Sequence, residues 1–320
     1  MSEPYFRPAT LDDAELAADL ITAARPDFPA DPEGVRYDWQ HPRTEWRIGR
    51  FIAELDRKPI AFVGWSHGPW EQVPHGNCEA EVWLDKTWLD PELLASLWQW
   101  VAAQAEADGA RLIEAYAGED APETLEVLDR LGFRRDRVER LWELDFAVHG
   151  KRLVAEAKAA RAKAQEAGIK MVTLADWSDP DSLKKVHALG QLTRRDVPTT
   201  FGWVLESYES WVERVSGPDK RQDRFWIARH GSLPVAYSYL RFPPVRGQVW
   251  TGYTCSHPEY RGRGIARAVK LQSLAQAVAL GIPLVLTSND SENAPMLHIN
   301  ETLGYHRQPG FVSLVKRVET

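Results

Sequence analysis

Hydrophobic and polar positions recur along this chain in two rounds of the same order. In the first round, period-two alternation in "YFRPAT", "WRIGRFIAEL", "PIAFVGWS", "CEAEVWL", "RLIEAYA" and "FRRDRVERLWELDF" predicts strands. Helical spacing appears near Asp13–Ala24, from Pro91 onward, and through "PETLEVLDRLG". The second round opens with "IKMVTLADW" as a strand, followed by helical segments between Ser182 and Val215. "DRFWIARHG" and "LPVAYSYLRF" read as a hairpin about Gly231 and Ser232, and "GQVWTGYTCSH" as the next strand. Ile265, Ala268, Leu271, Ala275 and Val278 then recur at helical spacing until Gly281 and Pro283 stop the run. "PLVLTS", "NAPMLHINETLG" and "YHRQPGFVSLVKRV" close the chain as strand, helix and β segment.

The two rounds align. "GARLIEAYAGEDAPETLEVLDRLGF" (109–133) matches "GIPLVLTSNDSENAPMLHINETLGY" (281–305) without a gap at an offset of 172. Gly109/Gly281, Leu112/Leu284, Leu125/Leu297, Leu131/Leu303 and Gly132/Gly304 are identical pairs, which together with the shared element order reads as a duplication. Between the rounds, "KRLVAEAKAARAKAQEAG" (151–168) is rich in the strongest helix formers and reads as a connector. The expected organisation is a first domain over 1–146, a connecting helix over 147–168 and a second domain over 169–320. Each domain is expected to be α/β, a mixed and mostly antiparallel sheet flanked by helices.

Composition narrows the partners. With 320 residues, 44% hydrophobic, the chain is long enough for two ordinary cores. A net charge of −7 argues against nucleic acid held on a diffuse basic surface. No apolar run approaches the roughly 18–20 residues of a membrane span, so no membrane partner is expected. The first residues carry no basic segment followed by an apolar run, and Cys78 and Cys255 make no disulfide framework, so a cytoplasmic protein is expected. Fourteen tryptophans are spread through both halves and read as core and pocket walls.

The chemistry concentrates at "YRGRGIARAVK" (260–270). Two glycines and two arginines stand where a helix normally wants a capping side chain. Bare backbone and positive charge at a helix start suit an anionic ligand. Arg261-Gly262-Arg263-Gly264-Ile265-Ala266 fits Q/R-x-x-G-x-G/A, with "TSNDSEN" closing the next strand and "NAPMLHINETLGY" as the following helix and turn. Together these resemble the GNAT acetyltransferase superfamily, over roughly 170–320 by motif and 4–146 by element order, giving two tandem GNAT-like domains.

The resemblance implies acetyl-CoA as co-substrate. Arg261, Gly262, Arg263, Gly264, Ile265, Ala266 and Arg267 would hold its pyrophosphate, Thr254, Cys255 and Ser256 its pantetheine, and Asn293 and Met296 would line the same side. A backbone amide of that strand would hold the developing oxyanion. Tyr253 and Asn300 are the candidate catalytic residues; the family's usual acid is a tyrosine seven residues after the helix-starting Asn293, and here that position is Asn300. Asp196 and Tyr237 are candidate acceptor contacts, each with an ordinary structural reading beside it. A strand cysteine without a His or Asn partner reads as buried, so Cys255 is not expected to be a nucleophile.

At the same offset, the first round carries Leu89, Glu92 and Leu94, and its helix starts "LDPELLASLWQWV". Asp90 is a good cap and Pro91 a good first residue, so the first domain is expected not to bind CoA in this manner. His67, His75 and Cys78 read as a polar hairpin, and no metal is expected. Glu79 and Glu81 share one strand face, read as a solvated face or as a contact for a cationic substrate. The implied reaction is acetyl transfer to a primary amine of a small molecule by direct attack in a ternary complex. The alternative is a non-catalytic acyl-CoA sensor, and a monomer and a homodimer both remain open.

Overall fold

In the computed structural model, which describes residues 3–43, 45–201 and 203–318, the first half supplies six strands. They are β1 (Tyr5–Pro8), β2 (Arg47–Leu55), β3 (Lys58–His67), β4 (Asn77–Leu84), β5 (Leu112–Gly118) and β6 (Arg134–Asp145). The second half supplies β7 (Ile169–Thr173), β8 (Phe225–His230), β9 (Leu233–Arg241), β10 (Val249–Ser256), β11 (Leu284–Asp290) and β12 (His306–Arg317). The helices are α1 (Ala14–Ala24), α2 (Pro32–Gln40), α3 (Pro91–Ala107), α4 (Pro122–Arg130), α5 (Phe146–Glu166), α6 (Ser182–Arg194), α7 (Tyr208–Val215), α8 (Ile265–Ala279) and α9 (Ala294–Leu303). β4, β5 and β6 return as β10, β11 and β12 at an offset of 172 residues, so the repeat read from one window extends over three strands.

All twelve strands belong to one sheet, in the order β1-β2-β3-β4-β5-β12-β6-β11-β10-β9-β8-β7. Pairing is antiparallel except between β4 and β5 and between β10 and β11. The two halves exchange their last strands. β12 pairs with β5 from Phe311↔Gly118 to Arg317↔Leu112, and β6 pairs with β11 from Leu284↔Asp145 to Asp290↔Glu139. β5 and β11 would otherwise present open edges, and each half covers the other's.

The cores are exchanged with the strands. Val312 and Leu314 of β12 are buried with Trp98 and Phe133 of the first half. Trp142 and Leu144 of β6 are buried with Leu271, Leu274 and Leu303 of the second. α5 occupies the segment read as a connector, and it is packed: Phe146, Leu153 and Ala157 join the core that also holds α8. Its alanines allow that close approach, a role that composition alone hides. The helix α2 has no counterpart in the periodicity reading. Asp31 caps it by accepting from the Gly34 amide at 2.8 Å, with Pro32 in the first turn. The same carboxylate accepts from the Val245 and Arg246 amides, tying α2 to the second half. Among the described residues no helix is long and apolar enough to cross a membrane.

Candidate active site

The turn from β10 into α8 is built on two glycines. Gly262 and Gly264 have φ of 72° and 74°, where a side chain is strained. A Cβ built on either would meet no atom within 4 Å, so open space lies over both. The first bond of the helix ladder runs from the Ala268 amide to the Gly264 carbonyl at 3.0 Å. The amides of Ile265, Ala266 and Arg267 precede that ladder and face outward at the positive end of the helix dipole. Arg263 donates to the Glu259 carbonyl at 2.9 Å and lies over the Tyr260 ring. Arg267 donates to Glu156 at 2.6 Å, and Arg261 donates to Asp196. The residues present fit a pyrophosphate: unfilled space, outward amides and three arginines at one helix start.

The equivalent start of α3 is already filled. Asp90 Oδ1 accepts from the Glu92 and Leu93 amides at 3.1 and 2.9 Å. Arg130 donates to Glu92 at 2.7 Å and leans over the Pro91 carbonyl. The amides that a phosphate would use are taken by a carboxylate of the chain itself.

β10 and β11 pair only at Val249↔Val285 and Trp250↔Leu286. Beyond those two pairs the strands part. On its other side β10 pairs with β9, and that register slips between Thr251 and Tyr253, at Gly252. A Cβ on Gly252 would lie 2.0 Å from the Tyr239 ring, so only glycine fits the slip. Such a bulge bends the strand that carries it. The result is a gap with Thr251 to Thr254 on one wall and Thr287 to Asp290 on the other.

The gap opens onto a cavity of about 640 Å³. Tyr253, Thr254, Asn289, Asn293 and Met296 line its second-half side. Glu79, Glu114 and Tyr116 line it from β4 and β5, with Glu139 from β6 and Ser313 from β12. Val197, Phe201 and Trp203 line it from the segment after α6. Glu114 is 6% exposed and accepts from the Tyr116 hydroxyl at 2.9 Å and the Ser313 hydroxyl at 2.7 Å. Glu139 accepts from the Ser288 hydroxyl at 2.8 Å, and burial raises its carboxyl. Glu79 is open to the cavity, yet protein surrounds it. Removal from bulk water, then the charges of Glu81 and Glu114, push its carboxyl up to about 7. Three arginines share the cavity: Arg137 pairs with Asp290 and Glu292, Arg194 lies over the Trp203 and Tyr253 rings, and Arg43 lies over Trp46 and 3.7 Å from Glu206. Glu79, Glu114 and Glu139 thus gather at the first-half end of the cavity, with Arg43 the cation that acts on Glu79.

Tyr253, Thr254, Asn293 and Met296, singled out from the sequence, meet at this cavity. Burial holds the Tyr253 phenol up at about 12, so it keeps its proton and can only donate or accept a hydrogen bond. Asn293 caps α9 by accepting from the Met296 amide at 3.4 Å. Asn300 is not at the cavity wall; it is fully buried, between Lys270 and Asn289. Asp196 is also elsewhere, because it pairs with Arg261 at the helix start. Tyr237 stands behind the wall in a core with Phe225 and Trp211, and burial raises its phenol far above the ordinary range. Cys255 belongs to that core, and burial pushes its thiol up to about 12, which disfavours the thiolate form. Ser256 lies at the end of β10, where its carbonyl accepts from Arg261.

The reading of Glu79 and Glu81 as a solvated face needs correcting. Cys78 and Ala80 point into the first core, and Glu79 on the opposite face lines the cavity. Glu81 accepts from the Trp83 indole at 2.7 Å. Glu114, Glu139 and Asn289 were passed over by sequence reasoning. Alternation marks the face of β5 and β11 that each shares with its neighbours, but only the strand exchange brings those faces together. His67 stacks on Trp70 and approaches the Asp108 carboxylate at 2.7 Å, while His75 is exposed.

Residues 186–305 match a sequence model of the acetyltransferase (GNAT) family. No curated protein matches the chain. Among solved structures, a tandem GNAT protein from the clavulanic acid biosynthesis pathway is similar over 99% of both chains, at 16% identity and a TM-score of 0.77. A GCN5-related N-acetyltransferase from Sphaerobacter thermophilus covers 99% of this chain and 96% of its own, at 16% identity and a TM-score of 0.68. A GNAT-family acetyltransferase from Colwellia psychrerythraea covers 99% and 100%, at 13% identity and a TM-score of 0.61. At these identities the structures speak for the fold, and the family model for the second half. The chain has the fold of a tandem GNAT protein, and residues 186–305 of its second half match the acetyltransferase (GNAT) family.

Proposed function

We propose that the protein is an acetyl-CoA-dependent N-acetyltransferase that acetylates a primary amine of a small molecule. One observation carries the reading: a single cavity joins the gap between β10 and β11 to the carboxylates Glu79, Glu114 and Glu139. A carboxylate-lined chamber attracts a cationic amine, and the parted strands give an extended thioester chain access to the same space. The bound co-substrate supplies an activated acetyl group. The outward amides of Ile265, Ala266 and Arg267, with Arg261 and Arg263, hold its pyrophosphate. Asn293 and Met296 line its path. The unpaired edge of β10 at Thr254, Cys255 and Ser256 offers backbone donors for the chain and for charge developing on the carbonyl oxygen. The amine must lose a proton before or during attack, and Glu79, held near 7, is placed to take it at neutral pH. The first half then contributes to the acceptor chamber without binding a second co-substrate.

Calorimetric titration of acetyl-CoA into the wild type and into Gly264→Glu tests this. One site in the wild type, lost in the variant, followed by CoA release with a panel of diamines and amino sugars, is the expected result. Binding without CoA release for any amine would favour the sensor reading, and absence of binding would overturn both.

A further inference from the structure

Lys270 lies in the middle of α8 and is 0% exposed. Among the described residues it has no carboxylate partner. Its Nζ donates to Asn300 Oδ1 at 2.8 Å and sits 4.8 Å from the centre of the Tyr305 ring. A buried ammonium without a counter-charge is costly and seldom retained without a task. Asn300 takes the Lys270 hydrogen on its oxygen and therefore turns its Nδ2 outward. That Nδ2 donates to Asn289 Oδ1 at 2.6 Å. Asn289 has then spent its oxygen, and its Nδ2 makes no hydrogen bond to any described residue. Asn289 lines the gap between β10 and β11.

An ammonium can only donate, whereas an amide can be read in either orientation. The lysine at the buried end fixes both amides in turn. We propose that Lys270 and Asn300 are positioning residues that aim the Asn289 amide into the gap as a hydrogen-bond donor to the sulfur of the thioester held there. This rests on the acetyltransferase reading above and deepens it. When the amine attacks the carbonyl carbon, the carbon–sulfur bond breaks and the sulfur keeps the electron pair. The thiolate that leaves is a strong acceptor, and Asn289 meets it with an N–H that needs no reorganisation. No proton is transferred by the relay; the amine's proton goes to the cavity carboxylate or to water. The relay thus stands where the tyrosine expected from the sequence pattern is absent. Burial draws the Lys270 ammonium down to about 7, so the donor-only form is complete below that pH, and above it the neutral amine still has N–H groups for the Asn300 oxygen while a thiolate at the far end favours the charged form.

The test is the ionisation of the thiol of bound CoA, followed by thiolate ultraviolet absorbance against pH. It needs no knowledge of the acceptor. The other titratable groups facing the gap, Tyr253 with Arg194 over its ring, Glu139 and the Asp290–Arg137 pair, are left in place. Asn289→Ala is expected to raise the bound thiol's pKa by about one unit, the worth of one hydrogen bond to a charged acceptor. Lys270→Met is expected to raise it in the same direction. Asn300→Asp is expected to raise it further than Asn289→Ala, because an aspartate accepts at both ends and turns the Asn289 oxygen toward the sulfur. CoA affinity should change less than threefold, since the phosphates bind elsewhere. An unchanged thiol pKa in Asn289→Ala would overturn the proposal. So would a change in Asn289→Ala that Lys270→Met does not share. A wild type that binds no CoA would instead overturn the functional reading on which the proposal stands.

Discussion

Glu79 shows how one side chain records its surroundings. Its carboxyl is raised to about 7, so between the ordinary value near 4.5 and about 7 the folded protein holds a proton that the unfolded chain has released. Stability therefore falls as pH rises through that window, and the loss is complete above it. Glu79→Gln removes the penalty. The variant is expected to melt about 1–2 °C above the wild type at pH 8, a modest gain because the carboxyl is partly solvated, with the difference closing toward pH 4.5. Melting curves at the two pH values check this, and a variant that loses stability at pH 8 would mean that Glu79 is paired and favourable. In the sequence, period two placed Glu79 and Glu81 correctly on one face. What that face meets depends on β6 and β12, whose registers lie far along the chain. The residues of the glycine turn were easier to read, because glycine, arginine and a helix start are adjacent in sequence and act through backbone. Asn300 was legible as a departure from a pattern, but its partners Lys270 and Asn289 lie 30 and 11 residues away and no local signal joins them.

At the scale of elements, two helix starts from one duplicated unit have taken opposite solutions. α3 closes its N-terminus with Asp90 and Pro91, and α8 leaves its own open over Gly262 and Gly264. Composition announces both, since a cap and a bare glycine are single-residue events. The parting of β10 from β11 is harder to see. It depends on Gly252, which reads as a weak spot in a strand and is instead the only residue that fits beside the Tyr239 ring. Gly252→Ala is expected to cost about 1–3 kcal/mol, since either the ring or the bulge must move. If the bulge moves, the gap narrows and acetyl-CoA binding weakens with it. Thermal melts and calorimetry on the same variant separate these: lost stability with full affinity would show that the ring yields and the gap does not depend on this glycine. α2 went unread because it is nine residues long and none of them is buried, so periodicity had nothing to report; its Asp31-Pro32 start was the available signal.

The whole molecule is more closely knit than two tandem units. Element order predicted a repeated α/β unit with a mixed sheet, and the structure carries it. The exchange of β6 and β12 was not legible, because alternation tells a strand which face is apolar but not which edge it will join. The consequence is mechanical. Leu314, in the last strand of the second half, is 1% exposed within the core of the first half, and Trp142, 172 residues earlier, is its counterpart in the other core. A cavity at Leu314 therefore weakens the sheet on which both halves close. Leu314→Ala is expected to destabilise the protein by about 2–5 kcal/mol. The midpoint should move by the same amount whether unfolding in denaturant is followed by tryptophan fluorescence, far-ultraviolet circular dichroism or loss of the acetyl-CoA binding proposed for the second half. Independent halves would behave otherwise. Fluorescence and dichroism would split into two steps, and the acetyl-CoA signal would keep the wild-type midpoint, because nothing in the second core had been removed. A coincident shift ties the glycine turn to a leucine buried in the other half, and makes the exchanged strands the element that couples the proposed acceptor chamber and the proposed cofactor site in one folding unit.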